Sequence, residues 1–458
     1  MAPLAAILPF LLLPIGGFAL AGWRREPTER RLADLLLLGP LALTLAMGAL
    51  SLLGVECSRT SVAAVVIAAA LLRAGFAWRA RSRRPIEAAA RREPGGAAVL
   101  LLALAAGVLA VAVSIRRPIT ISDPVLIYGA AAAQYAAHGR VDPALLRDVP
   151  ELEHPDYPPL FPATLAWLQL ARGGFDPWIG KPLGGIFLAG LLLELAAIAR
   201  ALGLRKSRAF AAAAFGLVPA LVSAADDGYA DLVVTACLAG ALASLLELAA
   251  SREETGRRTL RAGLFLAAAA LSKNEGFAIG LAMVLLAALL RTTSGARAGA
   301  RRLLLAAAPM LLAVAAWWIA VARAGLVNDL VEGAGDVSPA TALDRAGALL
   351  KELGGWLGSP IVNEPWPPAY GFAPFAIALA LAAHAWSGVK RRRLTFEQAV
   401  GPAQLGIYCV VLLFTPHEFE WHIDTALLRL LTQCLPAFLA FVLAAAVPAA
   451  APAERAGG

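Results

Sequence analysis

Residues 97–115 read AAVLLLALAAGVLAVAVSI, nineteen positions without a charged side chain, held between Arg91-Arg92 on one side and Arg116-Arg117 on the other. A helix rises 1.5 Å per residue, so roughly 20 apolar residues cross the ~30 Å of hydrocarbon in a bilayer. Barrel strands alternate apolar and polar residues over about ten positions, whereas this run is continuous. In lipid the backbone N–H and C=O groups of such a run are satisfied internally, as a helix. Residues 182–199 and 303–321 have the same character. The fold class that follows is all-α and polytopic.

The whole chain supports that class. Of its 458 residues 59% are hydrophobic and 16% charged, with mean hydropathy +0.70; a soluble domain carries roughly 25% charged residues. About thirteen transmembrane helices are expected, near 3–22, 33–54, 61–78, 97–115, 179–199, 208–225, 229–250, 260–272, 276–290, 303–322, 369–387, 398–415 and 430–447. Phe18-Ala19-Leu20-Ala21-Gly22 resembles a signal-peptidase site, but no basic residue precedes the apolar run and Arg24, Arg25, Arg30 and Arg31 follow it. That asymmetry predicts a retained first span with its N-terminus outside. Cys57, Cys237, Cys409 and Cys434 show no paired spacing and read as small buried hydrophobes.

A net charge of +8 raises the question of nucleic acid. The basic residues answer it, because they fall in short clusters between alternate apolar runs. These are Arg24 to Arg31, Arg79 to Arg92, Arg200 to Arg208, Arg252 to Arg261, Arg291 to Arg302 and Lys390 to Arg393; with Arg73 and Arg455 they hold 28 of the 40 Lys and Arg. Basic loops stay cytoplasmic. The expected topology is therefore N-out, C-in, and no nucleic-acid partner is implied. Two large loops, 116–180 and 323–368, face outward. In the second, Leu343, Ala346, Leu349, Leu350, Leu353 and Leu357 recur at helical spacing with Asp344, Lys351 and Glu352 toward the other face, as in a helix lying along a membrane surface. Residues 155–171 in the first loop are open to the same arrangement, and the tail 448–458 reads as disordered.

The remaining polar clusters are Ser122-Asp123-Pro124, His154-Pro155-Asp156-Tyr157-Pro158-Pro159, Asp226-Asp227-Gly228-Tyr229-Ala230-Asp231, Lys273-Asn274-Glu275-Gly276, Asn363-Glu364-Pro365-Trp366 and His417-Glu418-Phe419-Glu420-Trp421-His422, with Arg429 beyond. All fall on the outward side of that topology. Ionisable residues at membrane edges are costly unless used or paired, so their gathering points to one outward-facing site. Each also has a structural use. Asp123 before Pro124 is the pattern of a helix N-cap with proline at the first helical position, ahead of the helix expected at 125–138. Asp226 and Asp227 suit a solvated tight loop. Asp231 lies about one turn into an apolar helix and requires a partner; Lys273 and Glu275 are able to pair with each other or with Asp231. Arg429 opens the last helix, where a lone cation requires an anion.

In this order and with this sidedness, the clusters resemble the GT-C superfamily of polytopic glycosyltransferases, in the bacterial branch similar to protein O-mannosyltransferases and lipid A aminoarabinose transferases. The carriers are Ser122-Asp123, His154-Pro155-Asp156-Tyr157-Pro158, Gly228-Tyr229-Ala230-Asp231, Lys273-Asn274-Glu275-Gly276, and Glu420-Trp421-His422 with Thr425, Arg429-Leu430, Gln433 and Pro436. The match covers roughly 97–447, with three extra N-terminal helices (1–96) outside it. The resemblance implies a catalytic aspartate near the start of the first outer loop, which is Asp123, and a sugar donor on a polyprenyl phosphate. The acceptor is a hydroxyl on lipid, polysaccharide or protein, and the place is the outer face of a bacterial-type cytoplasmic membrane. A phosphate leaving group needs little protonation, so one carboxylate serves as base. Cations stabilise the departing phosphate. Arg429 and Lys273 are the candidates, Arg429 first because its guanidinium fork matches phosphate oxygens. A single displacement inverts the anomeric carbon. Relatives often place a second acid or a tryptophan beside the first aspartate; here the neighbours are Ser122 and Pro124, which leaves Asp156 as the candidate second carboxylate.

His154, Asp156, Tyr157, Asp231, Glu275, Glu420 and His422 complete the expected site as substrate-binding or supporting residues. No cofactor is implied. A divalent metal held by His154, His417 and His422 with nearby acids is the alternative to hydrogen bonding of sugar or phosphate by these histidines, and their spacing matches no standard metal pattern. Two other functions compete. A transporter or flippase of lipid-linked sugars places charges near the midplane on broken helices and often carries inverted repeats; no repeat is evident here. A non-catalytic scaffold needs Asp123 only as a cap, worth about 0.5–2 kcal/mol.

Overall fold

The computed structural model describes residues 3–21, 27–81, 95–119, 124–250, 256–293, 297–328, 337–358, 372–388, 395–415 and 417–445. Ser122, Asp123, the cluster Asn363-Glu364-Pro365-Trp366, the basic run 390–393 and the tail 448–458 lie outside the described residues. Within them every regular element is helical. Helices α1 (Pro3–Ala21), α2 (Thr28–Leu37), α3 (Gly39–Leu52), α4 (Arg59–Arg81) and α5 (Gly95–Ser114) precede the first long loop. That loop carries a π-helical turn (Pro124–Gly129), α6 (Ala130–His138) and α7 (Leu160–Arg172). Next come α8 (Lys181–Ala201), α9 (Lys206–Phe215), α10 (Pro219–Ala224), α11 (Asp231–Ala250), α12 (Gly256–Ser272), α13 (Asn274–Thr293), α14 (Arg297–Ala306) and α15 (Ala308–Arg323). The second long loop holds α16 (Pro339–Gly358). The chain continues through α17 (Phe372–Gly388), α18 (Phe396–Leu413), α19 (Phe419–His422), a second π-helical turn (Ile423–Leu427) and α20 (Leu428–Ala445).

Among the described residues eight helical stretches are long and apolar enough to cross a membrane: Thr28–Leu52, Arg59–Arg79, Gly96–Ser114, Lys181–Ala201, Asp231–Ala250, Gly299–Arg323, Phe396–Leu413 and Phe419–Ala445. The other expected intervals hold helices as well, α1, α9 with α10, α12, α13 and α17. The interval 208–225 divides into α9 and α10. Pro219 offers no N–H to the carbonyl of Phe215 and its ring crowds that carbonyl, so α9 ends there and α10 begins with proline in its first turn.

The centre of the bundle is α8 with α11, whose apolar windows are 83% and 89% buried; in α4 and α5 the figure is 17%. On those outer helices Leu71, Leu72, Phe76 and Trp78, then Leu101, Val108 and Leu109, are exposed. Contiguous exposed leucines along whole helices are costly in water and neutral against lipid tails, which fits a membrane protein. The N-terminal helices are packed into the bundle, α1 and α3 against α7 and α2 against α8.

Three expectations are revised. Residues 155–171 do not lie along a surface: α7 is buried from Leu160 to Gln169, and the Trp167 indole donates to the Pro9 carbonyl at 3.0 Å. In α16, Leu343 and Leu350 are exposed and Leu349 is buried. Second, Arg30 and Arg261, counted among the basic loop residues, are buried. Arg261 on α12 donates from Nε to Asp34 of α2 at 2.7 Å, from Nη1 to Ser244 of α11 at 2.5 Å and from Nη2 to Glu194 of α8 at 2.6 Å. Arg30 pairs with Glu247, and Arg200 with Glu29 at 3.0 Å. Third, among the described residues buried charge is present around Arg261 as well as around Asp231. Ser244 and Asp231 on α11 are separated by roughly 20 Å of helix rise, so the Arg261 centre stands far from the cluster around Asp231.

Candidate functional site

The site begins in the turn before α11. Asp227 Oδ1 accepts the Tyr229 N–H at 2.8 Å, and Gly228 between them has φ +81°, a left-handed value that glycine adopts freely. This turn delivers Tyr229 and then Asp231, buried at the N-terminus of α11, where the helix dipole favours a carboxylate. Lys273 occupies the sharp joint between α12 and α13. A Cβ on Gly276 would lie 2.1 Å from the Ala269 carbonyl oxygen, so only glycine lets the two helices meet there. The joint places Lys273 Nζ 3.3 Å from Asp231 and 3.2 Å from Glu275. Burial pulls the Lys273 ammonium down, but the facing carboxylates of Asp231 and Glu275 outweigh it and hold the pKa well above the lysine range.

The last segment supplies the second cation. Arg429, on the first turn of α20, has Nη1 4.0 Å from Asp231 Oδ2 and its guanidinium carbon 4.1 Å from the Tyr229 ring centroid. One turn on, Gln433 donates from Nε2 to Asp231 and accepts from the Tyr408 hydroxyl, while Gln404 Nε2 donates to the Gln433 carbonyl at 3.1 Å. These bonds fix α18, α20 and α11 to one another, so Asp231 is a hub for Lys273, Arg429 and Gln433. Its ion contact with Arg429 is longer than a hydrogen bond.

The first long loop closes the site. His154 has φ +51° and Glu151 φ +61°, left-handed values that cost a side-chain-bearing residue free energy. The His154 ring stacks on Tyr157 at 4.7 Å and 16°, and His417 stands edge-on to His154 at 6.0 Å and to His422 at 5.7 Å. Together these segments line a cavity open to solvent, with about 870 Å³ of space counting its open mouth, bounded among others by Tyr128, Glu153, His154, Tyr157, Tyr229, Asp231, Lys273, Glu275, Asn328, His417, Trp421, His422, Thr425 and Arg429. Both π-helical turns contribute, the first through Ile127 and Tyr128 and the second through Thr425 and Ala426.

Seven expected residues thus share one cavity: His154, Tyr157, Asp231, Lys273, Glu275, His422 and Arg429. Asp156 and Glu420 do not. The Asp156 carboxylate accepts from Asn328 at 2.5 Å and Asn274 at 3.2 Å, and its carbonyl accepts from the Trp317 indole at 3.0 Å. Burial pushes its carboxyl pKa up, against the opposing bonds from Asn328 and Asn274. It ties the first loop to α13 and α15 instead of supplying a second carboxylate to the cavity. Glu420, on α19, is exposed. Asp123 lies outside the described residues; the next residue, Pro124, opens the turn that carries Ile127 and Tyr128 into the lining. Tyr128, Glu153 and Asn328 join the lining without a signal in the sequence, since a lone tyrosine, glutamate or asparagine in a loop is unremarkable. Among the described residues no three of His, Cys, Asp and Glu stand close enough to hold a metal ion.

Compared with known protein families, with curated proteins and with solved structures, the chain has no match.

Proposed function

We propose that this protein is an inverting glycosyltransferase that moves a sugar from a polyprenyl-phosphate donor to an acceptor hydroxyl at the outer face of a bacterial-type cytoplasmic membrane. In this proposal the chain crosses the bilayer about thirteen times, N-out and C-in, with the shorter helices completing the set. Asp123 is the base that takes the acceptor proton, and Arg429 and Lys273 receive the charge developing on the leaving phosphate. One observation carries the proposal: Lys273 and Arg429, from segments far apart in the chain, converge on Asp231 in one cavity walled by tyrosine, histidine and tryptophan. Asp231 and Glu275 compensate the two cations, whose N–H groups would serve as donors to phosphate oxygens. Aromatic faces suit the apolar faces of a sugar ring. The second buried centre, at Arg261, has its guanidinium bonded to Asp34, Glu194 and Ser244, a packing role that gives the transporter alternative no support.

The test is transfer of a labelled sugar from an isoprenoid phosphate by the protein in nanodiscs, comparing wild type with Asp123→Asn. Asparagine caps a helix as aspartate does but takes no proton. Loss of about 10²–10⁴-fold in turnover with normal melting supports the base. Unchanged turnover removes Asp123 from the mechanism, and lipid translocation without transfer by the wild type replaces the enzyme with a flippase.

A further inference from the structure

Thr415 sits in the bend between α18 and α19 with no exposed surface. Its Oγ1 accepts the His417 backbone N–H at 3.3 Å and lies 2.7 Å from His422 Nδ1. Its carbonyl, with that of Leu413, accepts from Arg345 Nη1 at 2.8 and 3.0 Å, and the Arg345 guanidinium lies 5.5 Å from the Phe419 ring centroid. Thus α16, the helix of the second outer loop, clamps the peptide that carries Thr415.

A hydroxyl has one proton to donate and two lone pairs to accept with. The His417 N–H uses a lone pair. Among the described residues the one acceptor within reach of the buried O–H is His422 Nδ1, and a buried donor left unpaired is disfavoured. Nδ1 therefore accepts and carries no proton, which makes the ring neutral with its proton on Nε2. The ring lines the cavity beside Arg429, Lys273 and Glu275, and Nε2 has no protein partner among the described residues.

We infer that Thr415 is a positioning residue that fixes His422 as the neutral Nε2–H tautomer, and that this N–H donates to a phosphoryl oxygen of the ligand held between Arg429 and Lys273. The inference rests on the phosphate-binding half of the proposed function and assigns His422 a hydrogen-bonding role in place of a charge or a metal ligand. Lys273 and Arg429 supply the charge; His422 supplies direction, since an imidazole N–H in a fixed plane selects one oxygen.

The chain has five histidines, so ¹⁵N-histidine labelling resolves them, with a His422→Gln variant to assign the ring. The wild type in nanodiscs is expected to show His422 as the Nε2–H tautomer. Thr415→Val should turn it into a mixture, and Thr415→Ser should restore it. A proton on Nδ1 in the wild type overturns the inference whatever the activity. Titration with an isoprenoid monophosphate, against the same lipid as its free alcohol and against inorganic phosphate, should shift the Nε2 resonance whenever phosphate is present. A ring fixed as stated but insensitive to all phosphate arms overturns the ligand role. Where transfer is measured, Thr415→Val should raise the donor KM about tenfold with kcat little changed, the size of one lost hydrogen bond, and Thr415→Ser should recover it. Equal melting of the Val and Ser variants separates this from unfolding. Tautomer and titration read the inference without transferase activity, so failure of the enzymatic proposal shows separately, as absent transfer with an intact phosphate response.

Discussion

Replacing Arg261 by methionine tests the buried ion centre. The side chain is 10% exposed, those of Asp34 and Glu194 7% and 0%, and all three guanidinium nitrogens are bonded. Methionine keeps much of the volume and removes the charge, leaving two carboxylates among apolar helices. A stranded carboxylate can escape by taking a proton, at ~1.36 kcal/mol for each pH unit above its ordinary pKa. At pH 7 that is ~4 kcal/mol for an aspartate and somewhat less for a glutamate, so ~8 kcal/mol is the ceiling for the pair. The charge of Arg30 also reaches Asp34 and keeps part of its stabilisation. The expected loss at pH 7 is therefore about 4–5 kcal/mol, in the upper part of the range for breaking a buried pair.

The pH dependence has a definite sign. A carboxylate left without its cation is relieved by taking a proton, so the variant's deficit against wild type should grow as pH rises and shrink as it falls. The deficit against wild type should shrink to about 2 kcal/mol at pH 5, where neutralising an aspartate costs only ~1.5 kcal/mol. The assay is reversible unfolding by SDS in mixed micelles, followed by tryptophan fluorescence at both pH values. The triple variant Arg261→Met with Asp34→Leu and Glu194→Leu should return to within about 2 kcal/mol of wild type. A deficit under 1 kcal/mol at pH 7, or an equal deficit at both pH values, would refute the account of Arg261 as the cation between two buried acids.

Further outcomes follow from the site. Arg429→Lys keeps the charge but loses the fork, and should weaken donor binding by about 1–2 kcal/mol, read as a rise in Kd for an isoprenoid phosphate, with Arg429→Met worse. His154→Gly should relieve the left-handed backbone and stabilise the fold by up to about 1 kcal/mol while lowering transfer, a split that melting and activity assays reveal together. Gly276→Ala places a methyl against the Ala269 carbonyl and should cost about 1–3 kcal/mol, with loss of the Lys273–Asp231 contact seen as weaker phosphate binding. If stability is unchanged, the α12–α13 joint is not as tight as described.

Much of the candidate site was legible as short motifs. Gly228 and Gly276 stand where a turn and a close approach demand glycine, and Tyr229, Asp231, Lys273, Glu275, His422 and Arg429 fall in the expected clusters. A motif keeps its residues together because neighbours in sequence cannot separate. Asp156, Glu420 and Tyr128, in a loop and two short turns of helix, are not sorted into or out of the cavity by the sequence, because the face such a side chain takes depends on what packs over it.

The sequence by itself determined the helical class and most helix positions, since a continuous apolar run leaves its backbone polar groups no partner but one another and proline marks where that ladder stops. Only the tertiary structure decided which charges meet. Arg261 finds Asp34 across 227 positions and Gln433 finds Asp231 across 202. An arginine in a basic loop and one buried between two acids look alike along the chain, because a charge fixes the sign of its partner and not its identity; packing chooses among the candidates by bringing one within bonding distance.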